Sequence, residues 1–239
     1  NVYDFTTNKE ITDMVMVPFT MGKLHLPEQS AHGDTMVNHK KVQMYFTHKN
    51  GKRVLDFNFP EFNKGKGIKG RIELEALNKD SMVIATPWKE DKLAFYYNQK
   101  INCLAADGEF VFGGKKYTFE PEKALGVLDW GRGVWTYKNR WYWGSASGHV
   151  QGHTIGWNIG YGFSDRSPAS ENTLFVDGVA HKLAEVTFHM DESDYTRPWR
   201  FSSSDGRFEM QFAPIVDRDA NINLGLIRSV QHQVFGYFS

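Results

Sequence analysis

The chain holds a single cysteine, Cys103, in 239 residues. One thiol excludes an intrachain disulfide framework and a cysteine-built metal cluster. Neither sign of charge is in excess, with 28 Lys+Arg against 28 Asp+Glu. The positive surface that nucleic acid requires is therefore missing, and no nucleic-acid partner is expected. No apolar run is long enough to span a bilayer as a helix, and no Asn-x-Ser/Thr sequon occurs. Helical periodicity is scarce, and there is no internal repeat or low-complexity tract. The chain opens on Asn1 with no Met and no targeting segment, and closes inside the apolar run 234–238. Both ends read as cut, and a cytoplasmic location is the expectation from the missing leader alone.

What the chain has is aromatic and β-forming. It contains 18 Phe, 10 Tyr and 7 Trp, enough for a substantial core. Period-2 alternation runs almost throughout, which points to antiparallel strands. The clearest hairpin joins 42–46 and 55–59 around Asn50-Gly51, a pair suited to a two-residue turn because both positions need positive φ. With that turn, cross-strand partners sum to 101. Val42, Met44, Phe46, Leu55, Phe57 and Phe59 then share one face. Asp107-Gly108 and Gly113-Gly114 read as further tight turns, linking 101–106, 109–112 and 115–119 into a meander. Asp177-Gly178 reads as a fourth hairpin. Other strands are expected at 72–76, 82–86, 141–147, 153–163, 208–214 and 230–238. A short helix is expected from Pro121, and a turn at 217–222.

Several motifs carry candidate chemistry. Gly65-Lys-Gly-Ile-Lys-Gly70 matches G-x-G-x-x-G, but the alternation after it is that of a strand, so a solvated basic loop is the better reading. His149 and His153 have helical ligand spacing in a segment too rich in glycine for a helix, and no metal is expected. In Gly144-Ser-Ala-Ser-Gly148 an alanine stands where a nucleophile elbow needs serine. Five of the seven tryptophans fall between 130 and 157. Within that stretch Asp129 and Arg132 are close enough to pair. They read either as an ion pair anchoring a loop or as a carboxylate in an aromatic pocket, beside Trp130, Trp141 and Trp143, that serves as a general acid. The strand 153–163 places Thr154, Gly156, Asn158, Gly160 and Gly162 on one face. Either a neighbouring layer or a ligand fills the room those glycines leave, and Asn158 is the natural hydrogen-bonding group there. Glu171 and Asn172 stand at a strand mouth and suit a polar ligand group, or else belong to a turn. His232, between Val230 and Val234, reads as a core histidine or a ligand contact.

Taken together, 128–135 (LDWGRGVW), 140–148 (RWYWGSASG), Ser170-Glu-Asn172, Val176-Asp-Gly178, Pro198-Trp-Arg200 and 232–236 (HQVFG) resemble the DUF2804 family. The resemblance runs from the first hairpin to the last residue. It implies members longer at both ends and a fold of two lipocalin-like β units, distantly similar to the AttH/carotenoid-hydratase group. It implies no substrate and no catalytic residue.

The expectation is an all-β protein of two abutting antiparallel, lipocalin-like barrels or half-barrels, mostly 1–120 and mostly 121–239. Three functions follow. The first is a cofactor-independent enzyme acting by acid–base chemistry on a small, largely apolar ligand. Asp129 is its acid and Arg132 the orienter, with Asn158, Glu171 and Asn172 positioning substrate. The second is a glycan-active protein in which tryptophans stack on sugars and Asp129 pairs with Glu171. The third is a non-catalytic carrier of a lipid-like ligand.

Overall fold

The computed structural model describes residues 1–17, 20–223, 225 and 228–239. The protein is all-β, with antiparallel sheets and one sheet curled into a half-barrel. Among the described residues, no helix is long and apolar enough to cross a membrane. The chain forms two compact units, one discontinuous (Asn1–Asp13 with Leu183–Ser239) and one continuous (Met14–Lys182). The discontinuous unit begins with the hairpin β1 (Val2–Asp4) and β2 (Lys9–Ile11).

The continuous unit opens with β3 (Thr35–His39), β4 (Val42–Lys49), β5 (Lys52–Phe59), β6 (Ile68–Ala76), β7 (Met82–Pro87), β8 (Phe95–Phe112), β9 (Lys115–Phe119) and β10 (Leu125–Val134). These make one eight-stranded sheet in the order β10-β8-β6-β5-β4-β3, with β7 and β9 also on β8. The sheet crosses residues 120 and 121 without a break, because β10 pairs with β8. Asn50 (φ 52°) and Gly51 (φ 78°) turn the β4–β5 hairpin. Phe46 lies opposite Leu55 and Met44 opposite Phe57, as alternation and turn chemistry require together. The apolar face continues through Ile72, Phe110 and Tyr117 on β6, β8 and β9.

Three local expectations are corrected. Asp107-Gly108 is not a turn, and 101–112 lies within the uninterrupted β8. A Cβ at Gly108 would stand 2.2 Å from the Arg71 carbonyl oxygen, so this glycine permits close strand approach rather than reversal. The chain after Pro121 makes one turn, with the Lys123 and Ala124 N–H groups donating to the Glu120 carbonyl, before Leu125 enters β10. Residues 217–222 are strand, because the polar groups there find cross-strand partners on the last strand of the chain.

A second sheet of the continuous unit holds β11 (Tyr142–Val150), β12 (His153–Tyr161), β13 (Thr173–Val176) and β14 (Val179–Lys182) in sequential order. Asp177 and Gly178 turn β13 into β14, with Val176 opposite Val179. Met82 and Ile84 of β7 pack on Phe175 of β13, so the two sheets of this unit share a core. The discontinuous unit is completed by β15 (Val186–His189), β16 (Trp199–Ser203), β17 (Glu209–Asn223) and β18 (Arg228–Phe238). Its core is aromatic: Phe188 meets Phe201 edge-on at 4.7 Å and Phe212 stacks on Phe238 at 4.4 Å.

Candidate functional site

Alternation along β8 puts Tyr96, Asn98, Lys100 and Asn102 on one face. Across the shared core, the sheet of β11–β13 presents Trp143, Ser145, Gly156, Asn158 and Gly160 on its own face. The two faces enclose a polar cluster. Lys100 is 3% exposed, and its Nζ lies 2.8 Å from Asp129 Oδ2 and 4.0 Å from Glu171 Oε2. The same ammonium sits 4.2 Å from the Trp143 ring centre, where the indole face attracts a cation. Asn158 Nδ2 donates to Glu171 Oε2 and to the Glu171 carbonyl, each at 3.0 Å. Trp143 Nε1 donates to Asn158 Oδ1 at 2.7 Å. On the other side, Asn98 Nδ2 donates to Asp129 Oδ1 at 3.0 Å and to the Trp130 carbonyl at 2.8 Å.

Exposure divides the cluster. Glu171 is 8% exposed at its side chain, whereas Asp129 is 44% exposed. One carboxylate is sealed behind the ammonium and the other opens to solvent.

A bulge sets the depth of this arrangement. Gly126 pairs with Leu104 and Leu128 with Ile101, so Asn102 and Cys103 together oppose Val127. Cys103 takes φ 57° there. Such an extra residue re-aims side chains beside it. Asn102 consequently points into the second sheet, its Nδ2 reaching Ser145 Oγ at 2.8 Å and the carbonyls of Ala146 and Trp157 at 3.0 Å. Burial pushes the Cys103 thiol up, against the hydrogen bonds to Ser147 and Asn78 that lower it. Cys103 is fully buried, so a thiol reagent such as DTNB should label the native protein only through opening of the fold. Labelling rates that track urea-induced unfolding are the expected result, and immediate stoichiometric labelling would contradict the burial.

The glycine face of β12 is filled by protein. A Cβ at Gly156 would stand 2.6 Å from Cys103 Sγ and 2.9 Å from Asn102 Cβ, and one at Gly160 would stand 2.6 Å from Glu171 Oε1. Neighbouring side chains occupy the room that Gly156 and Gly160 leave, and Asn158 is a fully buried brace between Trp143 and Glu171.

The structure brings together Asp129, Glu171, Trp143 and Asn158. It does not bring in Arg132. Three residues along a strand reverse the face, and Arg132 instead donates to the Glu28 carbonyl at 3.2 Å. Lys100 takes the place expected for it. Trp130 contributes its carbonyl, while its ring meets Tyr97 edge-on at 5.5 Å. Asn172 lies on the opposite face from Glu171 and accepts the Gly160 N–H at 2.9 Å. Trp141 is half exposed against Phe163, at 5.4 Å between ring centres. His232 belongs to the discontinuous unit, where Nδ1 lies 2.8 Å from Asp217 Oδ2 and the ring packs on Tyr195.

Lys100, Asn98, Asn102 and Tyr96 were not among the residues expected from sequence. Their signal was present as polar side chains at alternate positions of a strand opposite Met82 and Ile84. Tyr96 completes the row. Its ring meets Phe163 edge-on at 4.8 Å. Burial first, then the charges of Glu171 and Asp129, push its hydroxyl far above the ordinary tyrosine range. Among the described residues, no group of three His, Cys, Asp or Glu side chains is placed to hold a metal ion.

A family model described as domain of unknown function (DUF2804) matches residues 1–239, the whole chain. No curated protein and no solved structure matches it.

Proposed function

We propose, from the premise that this chain belongs to the DUF2804 family, that it is a cofactor-independent acid–base enzyme acting on a small ligand at Asp129. The observation that carries the reading is the asymmetry of the Lys100 cluster. A sealed ammonium holds one buried and one solvent-open carboxylate, at 4.0 Å and 2.8 Å. Asp129 is fixed by Lys100 on one oxygen and Asn98 on the other. An oriented carboxylate that opens to solvent is suited to taking a proton. Its role is therefore that of base rather than the acid expected beside Arg132. Glu171 balances Lys100 from within.

The test starts from protein purified from its source, whose retained ligand is identified by native mass spectrometry. That ligand is then incubated in D2O with wild type and with Asp129→Asn. Wild type should drive deuterium into the ligand, and the variant should lose about 10²–10⁴-fold of that rate. Lys100 keeps Glu171 as a counter-ion in this variant, so the variant should remain folded, which urea unfolding checks. Equal deuterium uptake in both proteins, or none in either, overturns the reading. A ligand retained but unchanged would mark a carrier.

One observation favours a second reading. Trp135 and Trp141 are both half exposed and both lean on Phe163, as in a surface that stacks on sugar rings. With Glu171 sealed, a pair of open carboxylates has no support, so the glycan reading is one of binding rather than hydrolysis.

A further inference from the structure

The geometry points to Tyr96 as the hydrogen-bond donor that completes this site, and to a planar carbonyl compound with an acidic neighbouring C–H as the ligand class. The inference rests on Asp129 as base and adds the partner for the oxygen on which charge would develop.

Three observations carry it. First, Tyr96 and Asn98 share the β8 face with Lys100, and both lean into a notch at Gly131. A Cβ on Gly131 would lie 2.9 Å from Asn98 Nδ2 and 3.5 Å from Tyr96 Cε2. Gly131 is two residues beyond Asp129 on β10 and faces the same way. The missing side chain therefore lets the tyrosine ring reach toward the amide that holds Asp129. Second, among the described residues the site keeps a hydroxyl without a protein partner and two unmatched buried acceptors, Asn98 Oδ1 and Asn102 Oδ1. The Tyr96 hydroxyl makes no hydrogen bond to protein. Asn98 is 2% exposed, and its Oδ1 has no partner, both amide hydrogens being directed to Asp129 and the Trp130 carbonyl. Buried polar groups are rarely left unmatched, so the two amide oxygens ask for a partner. Third, burial and the two carboxylates keep the Tyr96 hydroxyl protonated, so it offers a proton in a hydrogen bond under any ordinary condition.

These groups fit one reaction class. The Asp129 carboxylate takes a proton from the carbon beside a carbonyl. The C–H electron pair moves into the carbon framework, and the carbonyl oxygen becomes an enolate oxygen that accepts the Tyr96 O–H. Where the ligand carries a C=C bond next to that carbon, the dienolate takes a proton back from Asp129, exchangeable with solvent, at the far end of the C=C, which restores the carboxylate and completes an isomerisation. No oxidant, reductant or cofactor enters the balance. Preorganised donors at a developing oxyanion are among the largest contributions to such reactions.

The probe is a series of substituted phenols of increasing acidity, from 4-chlorophenol to 4-nitrophenol, whose ionised forms present a planar oxyanion as an enolate does. Binding is measured by titration calorimetry and by the absorbance of the bound nitrophenol. Wild type should bind more tightly as phenol acidity rises. Tyr96→Phe, which keeps the packed ring, should weaken 4-nitrophenolate binding at least tenfold and abolish the dependence on acidity. A purely structural role would not produce that change. Asp129→Asn should tighten binding, because it removes a negative charge from beside the anion. If Tyr96→Phe binds like wild type while Asp129→Asn still tightens, Tyr96 is not the donor and the Asp129 reading stands. If wild type binds none of the phenols, the ligand class is wrong. If both variants bind as wild type does, the inference and the Asp129 reading fail together.

Discussion

Replacing Lys100 with methionine should destabilise the continuous unit by about 3–5 kcal/mol, the usual consequence of removing one partner from a buried charge pair. The cause is not a lost attraction at Asp129, which water can solvate. It is Glu171, sealed in the second sheet and left with Asn158 as its partner in the cluster. Methionine fills most of the lysine stem's volume, so packing against Trp143 is largely kept. The double variant Lys100→Met with Glu171→Gln should recover much of the loss, because a neutral amide at 171 no longer carries an uncompensated charge. Urea unfolding followed by tryptophan fluorescence reads this out. Six of the seven tryptophans, all but Trp199, lie in the continuous unit. A Lys100→Met midpoint at or above that of wild type would show that the cluster is not held by charge.

Gly156→Ala should cost about 1–3 kcal/mol through overpacking. The added methyl would stand 2.6 Å from Cys103 Sγ and 2.9 Å from Asn102 Cβ. Neither atom is the free end of a long side chain, and the bulge at Asn102 and Cys103 fixes both, so the strand itself has to shift. Gly148→Ala is the matched control one strand away. A Cβ there meets nothing within 4 Å, so the change should be neutral or stabilise by about 0.4–1 kcal/mol. Both are measured as shifts in the same urea transition. Equal midpoints for the two variants would mean that the sheets are not in contact at Gly156.

The strand alphabet of this chain was legible because turn chemistry and alternation are local. Asn50-Gly51, Gly113-Gly114 and Asp177-Gly178 each fix both φ values and the pairing that follows. The same rule misled at Asp107-Gly108, where the glycine answers to a neighbouring backbone that no local pattern reveals. The site was half legible for a related reason. Asp129, Glu171, Trp143 and Asn158 stood out as polar or aromatic groups in glycine-rich strands. Their common partner, Lys100, comes from a strand paired or packed with theirs only after folding. Arg132 looked like the partner because it is near in sequence. Three residues along β10 reverse the face, and that parity turns Arg132 away and leaves the place to a cation from β8.

The discontinuous unit has a consequence for the order in which the protein is made. Residues 1–13 leave the ribosome long before the strands that complete their unit, which begin only after residue 182. Glu10 must wait for Arg218, which lies 3.7 Å from it in the finished fold, and Tyr3 must wait for Phe235, at 4.0 Å between ring centres. At translation rates of about 5–20 residues per second, that interval is roughly 10–45 s. Throughout it the hairpin β1–β2 has none of its lasting partners, while everything that the continuous unit needs has already emerged by Lys182. The continuous unit is thus able to finish folding while the β1–β2 hairpin is still an unclaimed strand pair, available to a chaperone or to a second nascent chain.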